Sequence, residues 1–466
     1  MKNGKADVCI IGAGPAGAIS AYRLAQKGFD VVVLEAGPWR QKKNKFKLAR
    51  KFALNVPGGG RILSKLQSEK NPFWTTEYSR DDYENSGLQK YDLNNHRHRC
   101  VGGSTAEWGE TVPKPYPEDF EMNSRKNIGF DWPIEYEDFE KYLDVAEEQL
   151  SVQKSADKGS ERVERLFSNP CEKQNIRMSE RPYATLPEKE EAYDAEYHAN
   201  LAEDNGAEII DNAVVRRLIT DNDRVKKVLY SRDNRSCEQE AEQFIIAAGG
   251  IETPRLLLLS KSEEHPQGLA NSSGLVGKYL MDHPTVSIEG EIDQKKCING
   301  SKISHEYSSK LTTSAQIEFN VEGNKVSVVS MTEMLPKESN YVALSDSKTD
   351  KFGDPIPEIS YTIGQNSRET MKEALKLSQE ILSDIGASIT NADSYVSPRI
   401  VAHPMGTTMM GENPNKSVVD SRLRTHDIAN LSIVSSSVFP TGTRVNPTLI
   451  IAALANKAVD HIVEDL

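Results

Sequence analysis

The sequence predicts an α/β fold in which a parallel-sheet domain, assembled from separated stretches of chain, is joined to a second domain with a mostly antiparallel sheet. Three observations carry this. The first forty residues hold a strand, a glycine-rich turn, a helix and a second strand. A third apolar run ending in glycine, Phe244–Gly250, lies far downstream and reads as another strand of the same sheet. Between about 286 and 365, apolar and polar residues alternate between turns, the period-two pattern of an antiparallel sheet. With 466 residues the chain is long enough for two or three domains and a sizeable core.

The opening unit is the most informative. Ala6–Ile11 is a short, apolar, β-branched run and reads as a buried parallel strand. Gly12, Gly14 and Gly17 follow, with Pro15 and Ala16 between them, and a helical stretch runs from Ala18 to Gly28. Asp30–Glu35 is the second strand, followed by Ala36. In a Gly-x-Gly-x-x-Gly turn of this kind the first glycine permits the tight turn. The second lets backbone approach a pyrophosphate, and the third lets helix and strand pack closely. The pyrophosphate then meets the positive end of the helix, and Glu35 is placed to accept hydrogen bonds from ribose hydroxyls. The unit predicts a dinucleotide site, with an ordinary βαβ turn as the plain alternative. It does not by itself separate FAD from NAD, and no second unit of this kind occurs downstream.

Residues 38–95 are polar, with basic residues at 40–51 and a Gly58–Gly60 turn, and read as an excursion over the cofactor. His96–Gly109 is a glycine-bearing loop whose Gly102, Gly103 and Ser104 can bring backbone amides close to a ligand. A helix starts after Pro133 and runs towards Leu150, and 154–200 is charged and reads as exposed helix and loop. Two strands flank Asp221–Asp223, a helix follows at Glu252–Ser260, and further strands are expected at Gln316–Val321, Lys325–Met331 and Glu358–Ile363. A helix follows at about 367–385. In the last segment Asn446 is a good helix N-cap and Pro447 an ideal first helical residue. The expected division places 1–130, 201–285 and 400–466 in the cofactor domain, and 131–200 with 286–399 in the substrate domain.

Charge and composition exclude several classes. Lys and Arg number 57 against 69 Asp and Glu, a net charge of −12, which argues against a nucleic-acid-binding face. No apolar run is long enough to span a membrane. Five scattered cysteines (9, 100, 171, 237 and 297), with no Cys-x-x-Cys pair, argue against a disulfide framework or zinc site, and no His/Asp/Glu cluster has metal-ligand spacing. A reducing compartment follows, and a cytoplasmic location is the default.

Several segments together resemble the glucose–methanol–choline (GMC) oxidoreductases, the FAD-dependent alcohol oxidisers. They are Cys9–Gly37, Val101–Trp108, Asp131–Glu147, Phe244–Ser260, Gly274–Pro284, Asn340–Tyr361 and His403–Ile462, in the family's order and spread over nearly the whole chain. His403-Pro-Met-Gly-Thr and Val445-Asn-Pro-Thr are most similar to the branch holding pyranose oxidases, gluconate and fructose dehydrogenases and glycoside oxidases. The resemblance implies FAD. It places Ala36, Val214, Ala248, Gly249, Asn446, Pro447 and Thr448 beside the cofactor, together with the glycines already named. The N-terminus of the last helix would then face the flavin, where its dipole contributes on the order of 1 kcal/mol to holding negative charge.

The resemblance also implies the chemistry. Oxidising an alcohol removes a proton from oxygen and a hydride from carbon, so a base and an orienting group are required. His403 is suited to be that base near neutral pH, and Asn446 to hold the hydroxyl. Alone, Asn446 reads first as a helix cap and His403 equally as a loop histidine; together, in the family's order, they carry the catalytic reading. Trp108 and Arg444 are candidate substrate residues. Arg444 would suit an anionic group but equally a structural ion pair.

His283, in Met-Asp-His-Pro, reads as structural at the domain junction, and His96 and His98 as facing solvent or phosphate. Glu107 stands where some pyranose-oxidising relatives attach FAD through histidine, so non-covalent FAD is expected. Met409 and Ser435 replace the family's frequent Arg and Asp, and no histidine occurs in Thr443-Arg-Val. The expected substrate is a secondary alcohol of a sugar, glycoside or polyol. A hydrophobic alcohol such as a sterol, a lyase or a redox-silent flavoprotein, and an NAD dehydrogenase are the alternatives. The electron acceptor (oxygen, a quinone or a protein) is left open, and a homo-oligomer is compatible with the sequence.

Overall fold

In the computed structural model the first strand, Ala6–Ile11, lies at the centre of a parallel sheet, because both of its faces are covered. Val8, Cys9 and Ile10 are fully buried, which is what its unbroken apolar run demands. The structure describes residues 4–40, 82–91, 93, 97–154, 158–187, 191–293, 298–306, 311–396, 398–401 and 403–466. The expectations for the Gly58–Gly60 turn, the basic stretch at 41–51, His96 and Cys297 lie outside these residues.

On one side of the first strand runs Val31–Leu34 and beyond it Glu208–Ile210; on the other runs the end of Arg235–Ile246, and then Leu431–Ile433, all parallel. The strand Arg235–Ile246 has two roles. Its first half pairs antiparallel with Arg224–Arg232, which pairs with Val214–Asp221, and its apolar second half enters the parallel sheet. Helix Pro15–Gln26 begins with proline in its first turn and ends at Lys27, before Gly28 at φ 87°, a conformation that favours glycine. This helix packs against the last helix, Thr448–Asp465, and against Glu196–Asp204.

The expected antiparallel region divides into two sheets. The larger has the order Ile298–Glu306, Ala315–Gly323, Lys325–Thr332, Pro284–Glu291, Ser388–Ala392, with Arg399–Ile400 also on Pro284–Glu291. Helix Gln365–Asp384 packs against it through Leu377, Ile381 and Leu382, which face Ile288, Phe319 and Val328 in one core. Tyr341–Thr349 and Pro355–Ser360 form a separate sheet with Glu84–Asn85. A third core, which includes Tyr91, Tyr361, Leu280, Val286 and Met334, lies where these parts meet. No described helix is long and apolar enough to cross a membrane.

Candidate active site

The glycine-rich turn is built as its spacing requires. Gly12 has φ 102°, and a Cβ there would lie 2.6 Å from Ala247 O; at Gly17 a Cβ would lie 1.9 Å from Gly12 O. Both glycines are therefore obligatory for packing strand, helix and the Phe244–Gly250 segment together. Gly14 differs. Its extended backbone suits any residue, and a Cβ there would meet nothing within 4 Å. The missing side chain leaves open space against the backbone at the start of helix Pro15–Gln26, a cradle that suits a pyrophosphate.

The other expected cofactor residues gather on this turn. Gly102 N–H donates to Ala13 O at 2.9 Å, and a Cβ on Gly103, itself at φ 56°, would lie 3.0 Å from Gly14 Cα. Ser104 is exposed in the short helix that follows. Glu35 is buried; its Oε2 accepts the Ala13 N–H and its Oε1 the Gly37 N–H, both at 2.8 Å. The next residue is Ala36, and Ala213, beside Val214, donates its N–H to Glu35 O at 2.8 Å. The dinucleotide reading thus fits the residues present: an open cradle at the helix end, flanked by a buried carboxyl.

The same turn leads to the chemistry. Ala248 and Gly249 begin the helix Gly249–Leu259, and a Cβ on Gly250 would lie 2.3 Å from Pro404 O. Pro404 follows His403, which is half-buried, and its Nδ1 lies 2.9 Å from Nδ1 of His283. His283 is fully buried, and its Nε2 is 3.0 Å from both Gly442 O and Thr443 O. Those carbonyls open the loop that carries Asn446. Asp282 secures both histidines: its Oδ1 accepts the His283 N–H at 2.6 Å and the His403 N–H at 2.9 Å, while its Oδ2 accepts from Tyr91 OH. Burial raises the Asp282 carboxyl to about 6, against the hydrogen bonds from Tyr91, His403 and His283.

Asn446 corrects one expectation. The helix begins at Thr448, Pro447 occupies the cap position, and no side chain caps it. Proline already holds a helix-like φ of −76°, and its carbonyl accepts the Ile451 N–H at 2.9 Å, so the first turn closes without the asparagine. Asn446 Oδ1 is instead buried with no hydrogen-bond partner. An orphaned acceptor of this kind costs about 1–3 kcal/mol until something donates to it, and a bound molecule would relieve that cost.

Comparison with known proteins bears on the family. Two models described as GMC oxidoreductase match residues 93–285 and 336–455, and one described as FAD dependent oxidoreductase matches 7–122. The two GMC models together cover more than half of the chain. The chain belongs to the GMC oxidoreductase family. It is an FAD-dependent oxidoreductase acting on CH–OH groups.

Among similar proteins, the fructose dehydrogenase large subunit of Gluconobacter japonicus is 28% identical over 99% of this chain and 98% of its own length. The 2-methyl-1,2-propanediol dehydrogenase of Mycolicibacterium austroafricanum is 27% identical, covering 98% and 95%. The crystal structure of pyridoxine 4-oxidase from Mesorbium loti superposes with a TM-score of 0.72 at 19% identity, covering 98% of this chain and 99% of that one, and shows the fold.

The remaining candidates of this GMC oxidoreductase are placed as follows. Trp108 is half-buried, and its Nε1 donates to Tyr193 O at 2.8 Å. Arg444 is fully buried; its Nε donates to Asp119 Oδ1 at 2.7 Å and its guanidinium lies 5.1 Å from the Tyr116 ring centre. This is the ion pair that the sequence offered beside a substrate-binding role. Glu107 Oε2 lies 3.7 Å from His98 Nε2. The basic run turns inward at Arg97, which pairs with Glu252 at 2.8 Å. Although burial opposes its charge, Arg255, Arg97 and Arg99 hold Glu252 down to about 2. The sequence pattern does not mark Asp282, His283 or Asp119 as site residues, and only the Asp-His-Pro triplet signals the first two. Among the described residues, no group of three or more His, Cys, Asp or Glu is placed to hold a metal ion.

The reading of Glu35 as a ribose-binding residue predicts that cofactor affinity depends on pH. Burial raises Glu35 to about 7, against the N–H groups of Ala13 and Gly37, so the folded apoprotein holds it protonated below that pH. Ribose hydroxyls donate best to the ionised form. FAD affinity of the apoprotein is therefore expected to weaken by up to about tenfold per pH unit as pH falls below about 7. A fluorescence titration over this range checks it, and Glu35→Gln should flatten the dependence. An affinity independent of pH in the wild type would contradict the assignment.

Proposed function

We propose that this chain oxidises a secondary hydroxyl of a sugar, glycoside or polyol to a carbonyl, with His403 as base and FAD held non-covalently. The observation that carries the proposal is the junction of His403, His283 and the loop bearing Asn446. One buried ring touches the candidate base and the two carbonyls just ahead of the candidate orienting amide. The substrate class is supported by the fructose dehydrogenase relative, and the non-covalent cofactor by Glu107 at the place of the attaching histidine.

FAD, when bound, supplies the flavin nitrogen that accepts the hydride. The chain does the rest. His403 takes the hydroxyl proton, which is needed because hydride leaves an alkoxide far more readily than an alcohol. The Asn446 side chain holds the hydroxyl and is itself held by the tight packing of the 442–446 segment, where a Cβ on Gly442 would lie 3.0 Å from Met334 O. The N-terminus of helix Thr448–Asp465 follows at once, a partial positive charge near the reacting group.

The test is anaerobic mixing of the FAD-loaded protein with separate pools of sugars, glycosides, polyols and one sterol, watching the visible flavin band. Bleaching by a carbohydrate or polyol pool is the expected result. Bleaching by the sterol alone would replace the substrate class with hydrophobic alcohols. A bound flavin that no pool bleaches would contradict the proposal.

A further inference from the structure

His283 does more than fill the junction. Its Nε2 faces only carbonyl oxygens, those of Gly442 and Thr443 at 3.0 Å. Carbonyls accept and never donate, so Nε2 carries a hydrogen. The ring is fully buried, and burial holds its pKa below the usual histidine value despite the two carbonyls and the more distant Asp119 carboxylate, so it is neutral near pH 7. A neutral imidazole with hydrogen on Nε2 has a lone pair on Nδ1.

That lone pair lies 2.9 Å from His403 Nδ1, with the two rings nearly perpendicular at 85°. One hydrogen must lie between the nitrogens, and only His403 can supply it. Hydrogen on Nδ1 of His403 places that ring's lone pair on Nε2, the atom able to take a proton. One carboxylate oxygen of Asp282 accepts the peptide N–H of both histidines and so fixes their backbones, and a ring that turned would break the Nδ1–Nδ1 contact itself.

We propose that His283 is a positioning residue that selects the Nδ1–H tautomer of His403, makes Nε2 the base, and ties that base to the loop carrying Asn446. The proposal deepens the reading of His403 as base and rests on it. When Nε2 takes the hydroxyl proton, the His403 imidazolium keeps its Nδ1–H on neutral His283, and no proton passes further. His283 is thus a neutral acceptor in the place where a carboxylate orients the catalytic histidine of serine hydrolases.

The direct test reads the tautomer. In FAD-loaded protein labelled with 15N-histidine, the His403 ring signals are assigned by their loss in His403→Ala. At neutral pH the expected form has hydrogen on Nδ1, and a wild-type ring protonated on Nε2 would overturn the proposal. The kinetic arm compares two variants. His283→Leu removes the acceptor and is expected to slow flavin reduction about 10²-fold with little change in KM, less than the roughly 10⁴-fold cost of a wrong tautomer in serine hydrolases. His283→Asn restores an acceptor oxygen near the Nδ1 position and is expected to stay within a few-fold of wild type. Equal losses in both variants at full FAD content would assign His283 a packing role and overturn the proposal. If His403 itself were not the base, His403→Ala would reduce normally while the tautomer signal stood, so the two failures are distinguishable.

Discussion

Flavin reduction by the alcohol is expected to slow by about 10²–10⁴-fold in His403→Ala, the range that a positioned acid–base group contributes. FAD content should not change, because the substitution leaves the glycine turn intact and the backbone N–H of residue 403 stays on Asp282. Stability should fall modestly. Removing the ring leaves Nδ1 of buried His283 without its hydrogen, a cost of about 1–3 kcal/mol unless water replaces it. Stopped-flow reduction at saturating alcohol, read beside the flavin-to-protein absorbance ratio and a denaturant midpoint, separates these effects. Unchanged reduction kinetics would remove His403 from the role of base.

The second large effect is on folding. Arg444 and Asp119 come from segments 325 residues apart in sequence, and both side chains are excluded from solvent. Deleting one partner strands a buried charge, at a typical cost of 3–5 kcal/mol. Asp119→Ala is therefore expected to lower stability by about that amount, and to loosen the loop that carries Asn446 two residues beyond Arg444.

Glu333 sets the lower bound of this loss. It is fully buried, burial raises it to about 7, and Ser314 donates to its Oε2 at 2.6 Å. Glu118 and Glu333 both act on Arg444, and the buried Glu333 gains charge as pH rises through about 7, so the loss should be smaller at pH 8 than at pH 6. Replacing both partners with apolar residues, Asp119→Leu with Arg444→Met, should recover much of the stability. Urea midpoints of the single and double variants test this; a loss below about 1 kcal/mol in Asp119→Ala would show that the pair carries little of the fold.

What the sequence reveals here is what local pattern encodes. Gly12, Gly14 and Gly17 sit where strand, turn and helix meet, so their spacing alone announces the cradle. Phe244–Ile246 is buried on both faces and reads as a parallel strand for the same reason. The first half of that strand is not legible, because the residues buried between Glu238, Glu240 and Glu242 are Gln239 and Ala241, with Gln243 next, so the sequence shows no apolar alternation there. Leu431–Ile433 is too short to show any period, and its strand identity comes from pairing with Phe244–Ile246. The division of the antiparallel region into two sheets likewise depends on which edges meet, and no period reports that.

The site follows the same rule. His403 and Asn446 stand in recognisable motifs, whereas the contact between His403 and His283 spans 120 residues and the contact between Arg444 and Asp119 spans 325. Long-range pairing of polar groups leaves no trace in local spacing. The cap expectation for Asn446 fails on a local competitor: Pro447 closes the first turn by itself and leaves Asn446 Oδ1 buried without a hydrogen-bond partner.

In the proposed reaction a hydride leaves the carbinol carbon while His403 takes the hydroxyl proton. The measurement that tests it most directly is the anaerobic rate of flavin bleaching by the active alcohol, compared with the same alcohol deuterated at that carbon. Full bleaching without any added acceptor, slowed several-fold by deuterium, is the expected result. A bound flavin that the alcohol leaves oxidised, or bleaching at the same rate with either isotope when C–H cleavage limits the observed phase, would contradict it.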